Sequence, residues 1–215
     1  MTFPYRLCVI TDEKLSGLRH REAAEQALQG GAPMIQLRDK GGNLRYLYEE
    51  AAAIQHLCRK CGALFIVNDR LDLALAVEAD GVHLGQEDLP PRRVRPLLRP
   101  GMILGISTHS IEEAQEAEAA GADYIGFGPV FATGTKTGIR PVVGLDGIRK
   151  VRAAIQVPVL AIGGITLERV PGVMDAGADG VAVISAIVAS RDISKVCRQF
   201  LAQLRELGGE ASNTP

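Results

Sequence analysis

A short stretch around residue 36 places an amide, two cations and a carboxylate at the end of an apolar run. Residues 34–40 read Met-Ile-Gln-Leu-Arg-Asp-Lys. In an extended strand, alternation would turn Gln36, Arg38 and Lys40 to one side and their apolar neighbours to the other. Side chains that become cationic only where a strand ends are suited to an anionic ligand, although solvated surface charges would give the same pattern.

Two acidic stretches follow later apolar runs. Residues 68–72 read Asn-Asp-Arg-Leu-Asp, and residues 85–88 read Gly-Gln-Glu-Asp. Carboxylates gathered beside those cations would suit Mg²⁺, which takes one or two protein carboxylates and fills its other positions with water and substrate phosphates. That arrangement implies a diphosphate ligand. The spacing does not choose among Asp69, Asp72, Glu87 and Asp88, because an acidic residue at a helix start is also an ordinary cap.

Small residues end two apolar runs in the C-terminal third of the chain. Residues 158–162 lead into Gly163 and Gly164, and residues 180–184 lead into Ser185. Parallel strands that end in this way expose backbone N–H groups and the N-terminus of a following helix, which together can hold an oxyanion. A phosphate site is therefore predicted here, against the simpler interpretation that the glycines only make tight turns.

Hydroxyl groups mark two further connections. Ser107, Thr108 and His109 follow a fifth apolar run, and residues 133–136 read Thr-Gly-Thr-Lys within a long connection. A long connection that combines hydroxyls, glycine and a cation is more typical of a functional loop than of a spacer. The role of His109 stays open at this point.

Histidine and cysteine are expected to have structural roles elsewhere. His83 lies inside an apolar run, where a hydrogen-bonded core histidine is the expected arrangement. Cys58 and Cys61 form a Cys-x-x-Cys pair, yet both fall on the predicted buried stripe of a helix, at residues 44, 47, 48, 51, 54, 58 and 61. No second cysteine pair or nearby histidine completes a zinc site, so buried reduced thiols are expected.

These residues follow short apolar runs that alternate with amphipathic runs, which is the pattern of repeated strand–helix units with a parallel sheet. Eight strands are predicted, at residues 7–11, 34–38, 64–68, 81–84, 103–107, 124–128, 159–162 and 181–184. Eight helices are predicted near residues 21–29, 44–61, 71–78, 92–98, 111–120, 145–155, 167–176 and 193–207. Ser110 and Glu113 are spaced as a capping box for the fifth helix.

Eight such units in 215 residues predict an α/β fold, a single-domain (β/α)8 TIM barrel at the small end of the usual range. The barrel would take residues 1–207, and residues 208–215 read as a flexible tail. Ala-Gly-Ala-Asp recurs at residues 120–123 and 176–179, where glycine would end a helix. The alternative, an open doubly wound sheet, lacks its dinucleotide fingerprint after the first strand.

Composition limits the class of ligand. The net charge of −1 and the pI of about 6.4 give no basic surface for nucleic acid and no polybasic segment for a membrane. No apolar run approaches the roughly 20 residues that span a bilayer, and the first residues lack the pattern of a signal peptide. A small-molecule ligand and a cytoplasmic location are expected, and a homo-oligomer stays open.

With these residues in place, nearly the whole chain resembles the thiamine-phosphate synthases. The resemblance rests on several separate motifs in order: residues 36–40, 68–70, 80–88, 105–107, 128–131, 133, 135, 136 and 162–165. It implies a (β/α)8 barrel enzyme, with Mg²⁺ as cofactor, that acts on small phosphorylated substrates. The implied reaction joins a pyrimidine diphosphate to a thiazole phosphate, which gives thiamine phosphate and diphosphate.

The resemblance also implies a role for each matching residue. It assigns the pyrimidine diphosphate to Gln36, Leu37, Arg38, Asp39, Lys40, Asn68, Ser107 and Lys136. It assigns Mg²⁺ to Asp69 and Asp88, and the thiazole phosphate to Thr133, Gly134, Thr135, Gly164, Ile184 and Ser185. Within this set Arg38, Lys40, Ser107 and Lys136 are expected to be catalytic, because charge builds on the leaving oxygens as diphosphate departs.

One position departs from the family pattern, and two other functions compete with the synthase. Arg169 stands where the family commonly has asparagine, which we expect to affect packing or phosphate electrostatics. An isomerase similar to thiazole tautomerases has no diphosphate to ionise, so it would not need the acidic pair Asp69 and Asp88. A non-catalytic barrel that binds thiamine phosphate would not need cations at three separate strand ends.

Overall fold

The computed structural model describes residues 4–41, 43–134 and 141–208, and over these residues the chain forms a closed barrel of eight parallel strands. The strands are β1 (Leu7–Ile10), β2 (Met34–Leu37), β3 (Leu64–Asn68), β4 (Gly81–Leu84), β5 (Ile103–Thr108), β6 (Tyr124–Phe127), β7 (Val159–Ile162) and β8 (Gly180–Val183). Each strand pairs with the next in sequence, and β8 pairs with β1 to close the ring. The predicted barrel is confirmed, and closure excludes the open doubly wound sheet.

The helices surround the barrel. They are α1 (Glu13–Ser16), α2 (His20–Gln29), α3 (Leu44–Cys61), α4 (Leu71–Ala76), α5 (Pro91–Val94), α6 (Ile111–Ala119), α7 (Gly144–Ala154), α8 (Val170–Asp175), α9 (Ser185–Val188) and α10 (Ile193–Leu207). Short 3₁₀ turns at Arg95–Leu97 and Leu167–Arg169 follow α5 and precede α8. Sequence reasoning missed α1 and α9, because a four-residue helix is too short to display an amphipathic period.

Several predicted boundaries were wrong by a few residues. Thr11, Arg38, Gly128 and Ile184 lie just past their strands, whereas β5 extends one residue further than predicted, to Thr108. The single helix predicted at residues 92–98 divides into α5 and a 3₁₀ turn that contains Pro96. Proline lacks the N–H that an α-helix would use at that position, so the α-helical bonding cannot continue through it.

The repeated Ala-Gly-Ala-Asp joints connect neighbouring strands at the rim where the strands begin. Gly121 and Gly177 adopt φ of 86° and 100°, the left-handed conformation that was predicted to end a helix. The aspartate that follows each glycine reaches back to the strand before: Asp123 Oδ2 accepts from the Leu104 N–H at 2.7 Å and Asp179 Oδ2 from the Val159 N–H at 2.8 Å. The related joint before β4 does the same, since Asp80 Oδ2 accepts from the Phe65 N–H at 2.8 Å.

The apolar strands are buried on both faces, as continuous apolar runs require. On α3 the predicted stripe is confirmed in the middle, where Leu47, Ala51, Ile54 and Cys58 are buried. It is wrong at residues 44 and 48, which are exposed, and at Cys61. Cys61 is exposed because it is the last residue of α3, and Gly62 then turns the chain in the left-handed conformation at φ 67°.

Two further predictions concern the ends and caps of elements. Ser110 Oγ accepts from the Glu113 N–H at 3.2 Å, which confirms the cap of α6, but the carboxylate of Glu113 accepts from the His109 N–H and not from Ser110. The predicted flexible tail lies outside the described residues except for Gly208, which ends α10. Among the helices of the described residues, none is long and apolar enough to cross a membrane.

Candidate functional site

A pocket lies inside the barrel towards the ends of the strands. It contains about 320 Å³ of space, part of which is open to solvent. Its polar lining comes from five side chains on five different strands: Gln36, Asn68, His83, Ser107 and Tyr124. The rest of the lining is apolar or has no side chain, and consists of Cys8, Ile10, Gly126, Leu160, Ile162 and Ala182. A small, flat, polar ring would fit this combination better than a charged group would.

The three candidate ligands Gln36, Asn68 and Ser107 therefore meet in one pocket. Gln36 is 3% exposed and lies in β2, as the predicted alternation requires. Leu37 points the other way into the core and does not line the pocket, so only its backbone is available to a ligand there.

His83 is buried and hydrogen-bonded, as predicted for a core histidine. Its Nδ1 lies 2.9 Å from the hydroxyl of Tyr124, and its Nε2 lies 2.9 Å from the hydroxyl of Ser107. Sequence reasoning missed that this histidine and Tyr124 also face the pocket. A signal existed in Gly105 and Gly126, which lie on the next two strands and leave space for the imidazole, but only the strand register relates those glycines to His83.

A cationic and acidic cluster lies at the rim beside this pocket. The Nζ of Lys40 donates to Asp69 Oδ2 at 2.6 Å. The Gly85 N–H donates to Asp88 Oδ2 at 2.6 Å. Burial raises the pKa of Asp88, and a hydrogen bond and the charge of Asp69 raise it further, while Gly85 and Lys40 act in the opposite direction. Two carboxylates thus share a small volume with one ammonium group, an arrangement that a divalent cation would relieve.

The backbone holds Asp69 in an uncommon conformation. Its φ is 63°, in the left-handed region that non-glycine residues seldom occupy, and its N–H donates to the His83 carbonyl at 2.8 Å. This turn directs the carboxylate towards Lys40 and Asp88. Backbone conformations of this kind are concentrated at functional sites, where the surrounding structure holds them.

The other two acidic candidates lie apart from the cluster. Asp72 is in the first turn of α4 and accepts from Arg70 Nε at 2.9 Å, and the side chain of Glu87 is exposed. Within the described residues no group of three or more His, Cys, Asp or Glu side chains could hold a metal ion. Two carboxylates with room for water and phosphate oxygens fit Mg²⁺, which binds proteins in that way, and do not fit a closed structural zinc site.

The remaining residues of the first motif lie at the mouth of the barrel. Arg38 is in contact with Asp12, with Nη1 and Oδ2 3.5 Å apart, and its side chain is 10% exposed. Asp39 Oδ1 accepts from the Gly41 N–H at 2.7 Å and its other oxygen lies 3.5 Å from Nε2 of His20. Lys40 is the exposed member of the set, with 62% of its side chain accessible.

The predicted phosphate site lies where the glycine turn after β7 meets the loop after β6. The Val130 and Phe131 N–H groups donate to the carbonyls of Ile162 and Gly163 at 2.9 and 3.0 Å. A Cβ on Gly164 would lie 2.7 Å from the Ala132 carbonyl oxygen and 2.9 Å from the Cβ of Phe131, so this backbone contact requires glycine.

Ser185 and Arg169 complete the surroundings of that turn. Ser185 is the first residue of α9, directly after Ile184, so the first N–H groups of the helix have no partner within it. Arg169 Nη1 donates to the Gly164 carbonyl at 2.6 Å, and its guanidinium lies 4.4 Å from the ring centroid of Phe131. The arginine thus joins the glycine turn to the loop after β6, which is the packing role that was one of its two expected effects.

The last candidates belong to the loop after β6. Thr133 and Gly134 are exposed at the rim. Thr135 and Lys136 lie outside the described residues, so their predicted roles stay predictions. His109, whose role was open, lies beyond β5, where its Nδ1 is 2.9 Å from Glu113 Oε2 and it does not line the pocket.

Comparison with known proteins gives the same family on three counts. The family model described as thiamine monophosphate synthase matches residues 7–187. The thiamine-phosphate synthase of Methanocella arvoryzae is 51% identical over 199 residues, which is 92% of this chain and 94% of the relative, and that of Methanospirillum hungatei is 52% identical over 195 residues, 90% and 95% of the two chains. The solved thiamine phosphate pyrophosphorylase from Pyrococcus furiosus superposes with a TM-score of 0.88 at 42% identity, and the match covers 95% of this chain and 98% of that one.

Proposed function

This chain belongs to the thiamine-phosphate synthase family, and we propose that it joins 4-amino-2-methyl-5-(diphosphooxymethyl)pyrimidine to 4-methyl-5-(2-phosphooxyethyl)thiazole, or to the carboxylated precursor of that thiazole. The products are thiamine phosphate and diphosphate. The observation that carries the proposal is the cluster of Lys40, Asp69 and Asp88 at the edge of a pocket lined by uncharged polar groups. Such a site suits a substrate with a neutral polar ring at one end and a diphosphate at the other.

We assign the pyrimidine ring to the inner pocket. Gln36, Asn68 and Ser107 supply amide and hydroxyl groups there, and the apolar lining excludes water from the ring. The exocyclic methylene then points outward, because the diphosphate attached to it must reach the cations at the rim. Orientation of the substrate in this way is itself a large part of catalysis, since it places the breaking bond beside the groups that stabilise it.

The diphosphate would lie between Arg38, Lys40 and Lys136, with Asp69 and Asp88 as the ligands of Mg²⁺. When bound, the metal supplies a Lewis acid that neutralises negative charge on the phosphate oxygens. Lys40 now contacts Asp69, so occupation of the carboxylates by a cation would free its ammonium group for the diphosphate. One well-placed donor to developing charge is typically worth about 3 kcal/mol, roughly a hundredfold in rate.

We assign the thiazole phosphate to the glycine turn at Gly164 and to the start of α9 at Ile184 and Ser185, with Thr133 and Gly134 at its outer side. The family resemblance assigns Thr135 to the same substrate. Backbone N–H groups favour an anion here without any need for a charged side chain. This phosphate would hold the thiazole nitrogen opposite the pyrimidine methylene. The two substrates then occupy adjoining parts of one rim.

The reaction we propose is dissociative. The bond between the methylene carbon and the diphosphate oxygen breaks first, and its electron pair leaves with the diphosphate. The resulting pyrimidine methylene cation is captured by the lone pair of the thiazole nitrogen, which forms the new C–N bond. No side chain acts as a nucleophile. Exclusion of water from the site would protect the cation, which water could otherwise capture.

The proposal is tested by incubating the protein with both substrates and following thiamine phosphate and diphosphate together. We expect equal amounts of the two products with Mg²⁺ and none with a chelator. Asp69→Asn should reduce the rate at least about a hundredfold, whereas Asp72→Asn, a matched change of a carboxylate bound to Arg70, should leave it unchanged. Binding of thiamine phosphate without any turnover would support the non-catalytic alternative, and isomerised thiazole phosphate without pyrimidine consumption would support the isomerase.

Two properties of the protein stay proposals from the sequence. A cytoplasmic location is consistent with small phosphorylated substrates, and it is tested by cell fractionation. The homo-oligomeric state is tested by light scattering of the purified chain.

A further inference from the structure

A buried histidine lies behind the turn after β2 (residues 38–41), which carries two cations of the rim. His20 is the first residue of α2, it is 2% exposed, and it does not line the inner pocket. Its Nδ1 lies 2.8 Å from Thr11 Oγ1, and the Thr11 N–H donates to the Gln36 carbonyl at 2.9 Å. Its Nε2 is also buried but makes no hydrogen bond with any described residue. Such atoms are rare because they reduce stability, which indicates a partner that comes within reach during function.

Two carboxylates face this nitrogen. Asp39 Oδ2 lies 3.5 Å from Nε2 of His20, and Glu13 Oε1 lies 3.9 Å from it. Glu13 Oε1 already accepts from the His20 N–H at 3.0 Å and from the hydroxyl of Tyr46. Asp39 is therefore the nearer partner, and a movement of about half an ångström would bring its oxygen within hydrogen-bond distance of Nε2.

The chemistry of these neighbours determines which nitrogen of His20 carries a proton. An ionised carboxylate accepts hydrogen bonds and cannot donate them, whereas a hydroxyl can do either. A lone pair on Nε2 would face two groups that cannot donate to it, so Nε2 carries a proton. Nδ1 is satisfied in the neutral and in the charged ring, because the Thr11 hydroxyl can donate to it or accept from it. A bond from Nε2 to Asp39 is thus available in both states.

The contacts of Asp39 do not suit a direct contact with diphosphate. Its Oδ1 accepts from the Gly41 N–H at 2.7 Å, and its Oδ2 faces His20. A diphosphate offers oxygens that accept, and a carboxylate has no proton to donate to them. Asp39 therefore holds the turn after β2, although the family resemblance groups it with the residues that bind the pyrimidine diphosphate.

The cations on either side of Asp39 have partners that a ligand would replace. Arg38 contacts Asp12, and Lys40 contacts Asp69. A diphosphate that draws both cations to itself would break these two contacts. The contacts of Asp39 do not involve the cations, so they persist and hold the turn while the ligand is bound.

Resting on the synthase function proposed above, we propose that His20 is a positioning residue, which donates from Nε2 to Asp39 when the diphosphate binds and thereby fixes the turn after β2. Arg38 and Lys40 project from this turn, so the bond sets where their charges lie relative to the breaking bond. His20 itself touches neither the substrate nor the reacting atoms. Displacement of catalytic groups by about an ångström can cost a large factor in rate, so a buried contact that fixes them contributes to catalysis.

The first test measures binding of inorganic diphosphate, in the presence of Mg²⁺, to the whole protein by calorimetry. His20→Leu removes both ring nitrogens, so binding should weaken about tenfold. His20→Gln places an amide N–H near the position of Nε2 and should restore most of the affinity. His56→Leu, the same change at an exposed position of α3, should have no effect. Unchanged binding in His20→Leu would overturn the proposal.

A second variant keeps this test decisive if His20→Leu disturbs the fold. His20→Asn retains a polar partner for Thr11, but its shorter side chain does not reach Asp39. It should bind diphosphate as weakly as His20→Leu, and thermal unfolding should show that it is folded. Binding by His20→Asn as tight as by His20→Gln would overturn the proposal.

A double-variant cycle separates action through Asp39 from a packing effect of the imidazole. In an Asp39→Ala background, His20→Leu should weaken diphosphate binding by less than about twofold, because the partner of Nε2 is already absent. A loss in that background as large as in the otherwise unaltered protein would overturn the proposal, since His20 would then act by packing alone.

Steady-state kinetics connect the contact to the reaction. His20→Leu should lower kcat about tenfold and leave KM for the thiazole phosphate unchanged, because the turn after β2 lies at the diphosphate end of the site. An unchanged kcat would overturn the proposal. If the unaltered protein binds diphosphate but forms no thiamine phosphate, the synthase function fails, whereas the binding comparison of His20→Leu with His20→Gln still decides whether His20 positions the turn.

Discussion

At the rim where the strands begin, Asp80, Asp123 and Asp179 accept hydrogen bonds from backbone N–H groups of the preceding strands, whereas at the opposite rim Asp69 and Asp88 lie beside each other and Lys40. The first three carboxylates are committed to the fold. The other two lie close together, and burial, followed by the nearby Asp69, raises the pKa of Asp88. The same residue type therefore stabilises one rim and, in the proposed function, binds a metal ion at the other.

Arginine shows the same contrast. Arg95 and Arg152 bind Asp123 and Asp179 at the first rim, and each of these pairs also holds a strand. At the second rim Arg38 contacts Asp12 only at 3.5 Å, a separation at which little is lost if a diphosphate takes its place. A (β/α)8 barrel can separate stability from function in this way because its two rims are about a strand length apart.

The largest effect expected from this contrast is a split between activity and stability for Asp88→Asn. Activity should fall at least about a hundredfold, while the unfolding midpoint should stay the same or rise. The sign follows from the raised pKa of Asp88, which means that the ionised carboxylate is less stable in the folded than in the unfolded protein. This loss of stability is absent below the unfolded pKa and complete above the folded pKa. At pH 7 the uncharged asparagine therefore removes it. Steady-state rates and thermal unfolding of one preparation at pH 7 measure both quantities, and a clear loss of stability would contradict the contrast.

The reverse split is expected at the other rim for Asp123→Asn. This change replaces a carboxylate that accepts from both the Leu104 N–H and Arg95 with an uncharged amide. The free energy of unfolding should fall by about 1 kcal/mol after allowance for the partial exposure of the Asp123 side chain. The kcat of the folded protein should not change. Asp146→Asn is the matched control, because Asp146 is 83% exposed and its partner among the described residues is Arg149, so urea unfolding should show almost no effect.

A moderate effect on one substrate alone is expected for Arg169→Ala. The guanidinium connects the Gly164 carbonyl to the ring of Phe131, so its loss should loosen the glycine turn and raise KM for the thiazole phosphate about three- to tenfold. KM for the pyrimidine diphosphate should stay constant. Arg149→Ala removes an exposed arginine from α7 and serves as the control. An equal rise of both KM values would mean that Arg169 supports the whole rim.

The smallest effect concerns Cys8, in the apolar part of the pocket lining between the two rims. Cys8 lines the pocket but is 1% exposed, and burial raises its pKa to about 12, as it does for Cys58 and Cys197. At pH 8 a thiol with that pKa is ionised in only about one molecule in ten thousand. A thiol reagent should therefore label one cysteine per folded chain, the exposed Cys61, and Cys61→Ser should abolish labelling. Rapid labelling of a second thiol would show that a buried cysteine becomes accessible to the reagent in the folded protein.

The fold was predictable because its elements repeat. Each apolar run had the length of a buried strand, and Gly121 and Gly177 marked the joints by their need for the left-handed conformation. The four-residue helices α1 and α9 were not predictable, since they depend on local contacts such as the cap that Asp12 Oδ1 provides for the Leu15 N–H. The exposure of Cys61 was missed for a related reason: a periodic pattern does not reveal that the last turn of a helix has left the core.

The sequence predicted in part which side chains face the pocket, but it did not predict which side chains pair with each other. Alternation correctly turned Gln36 inward and Leu37 outward. Spacing could not decide that Asp88 would meet Asp69 while Asp72 would meet Arg70, because that outcome depends on the left-handed turn at Asp69. The pocket face of His83 was missed because a histidine within an apolar strand has the same local pattern whether its ring meets packed side chains or a cavity.

The order of apolar and polar residues along the chain by itself determined a closed parallel barrel with amides, cations and carboxylates after its strands, because strand period and strand ends are local properties. Only the tertiary structure decided which of those groups are neighbours. The imidazole of His83 reaches Tyr124 and Ser107 because closure of the barrel sets the register of β4, β5 and β6 and leaves Gly105 and Gly126 beside the ring. Such distances between strands are set by the packing of the whole barrel, which no single stretch of sequence contains.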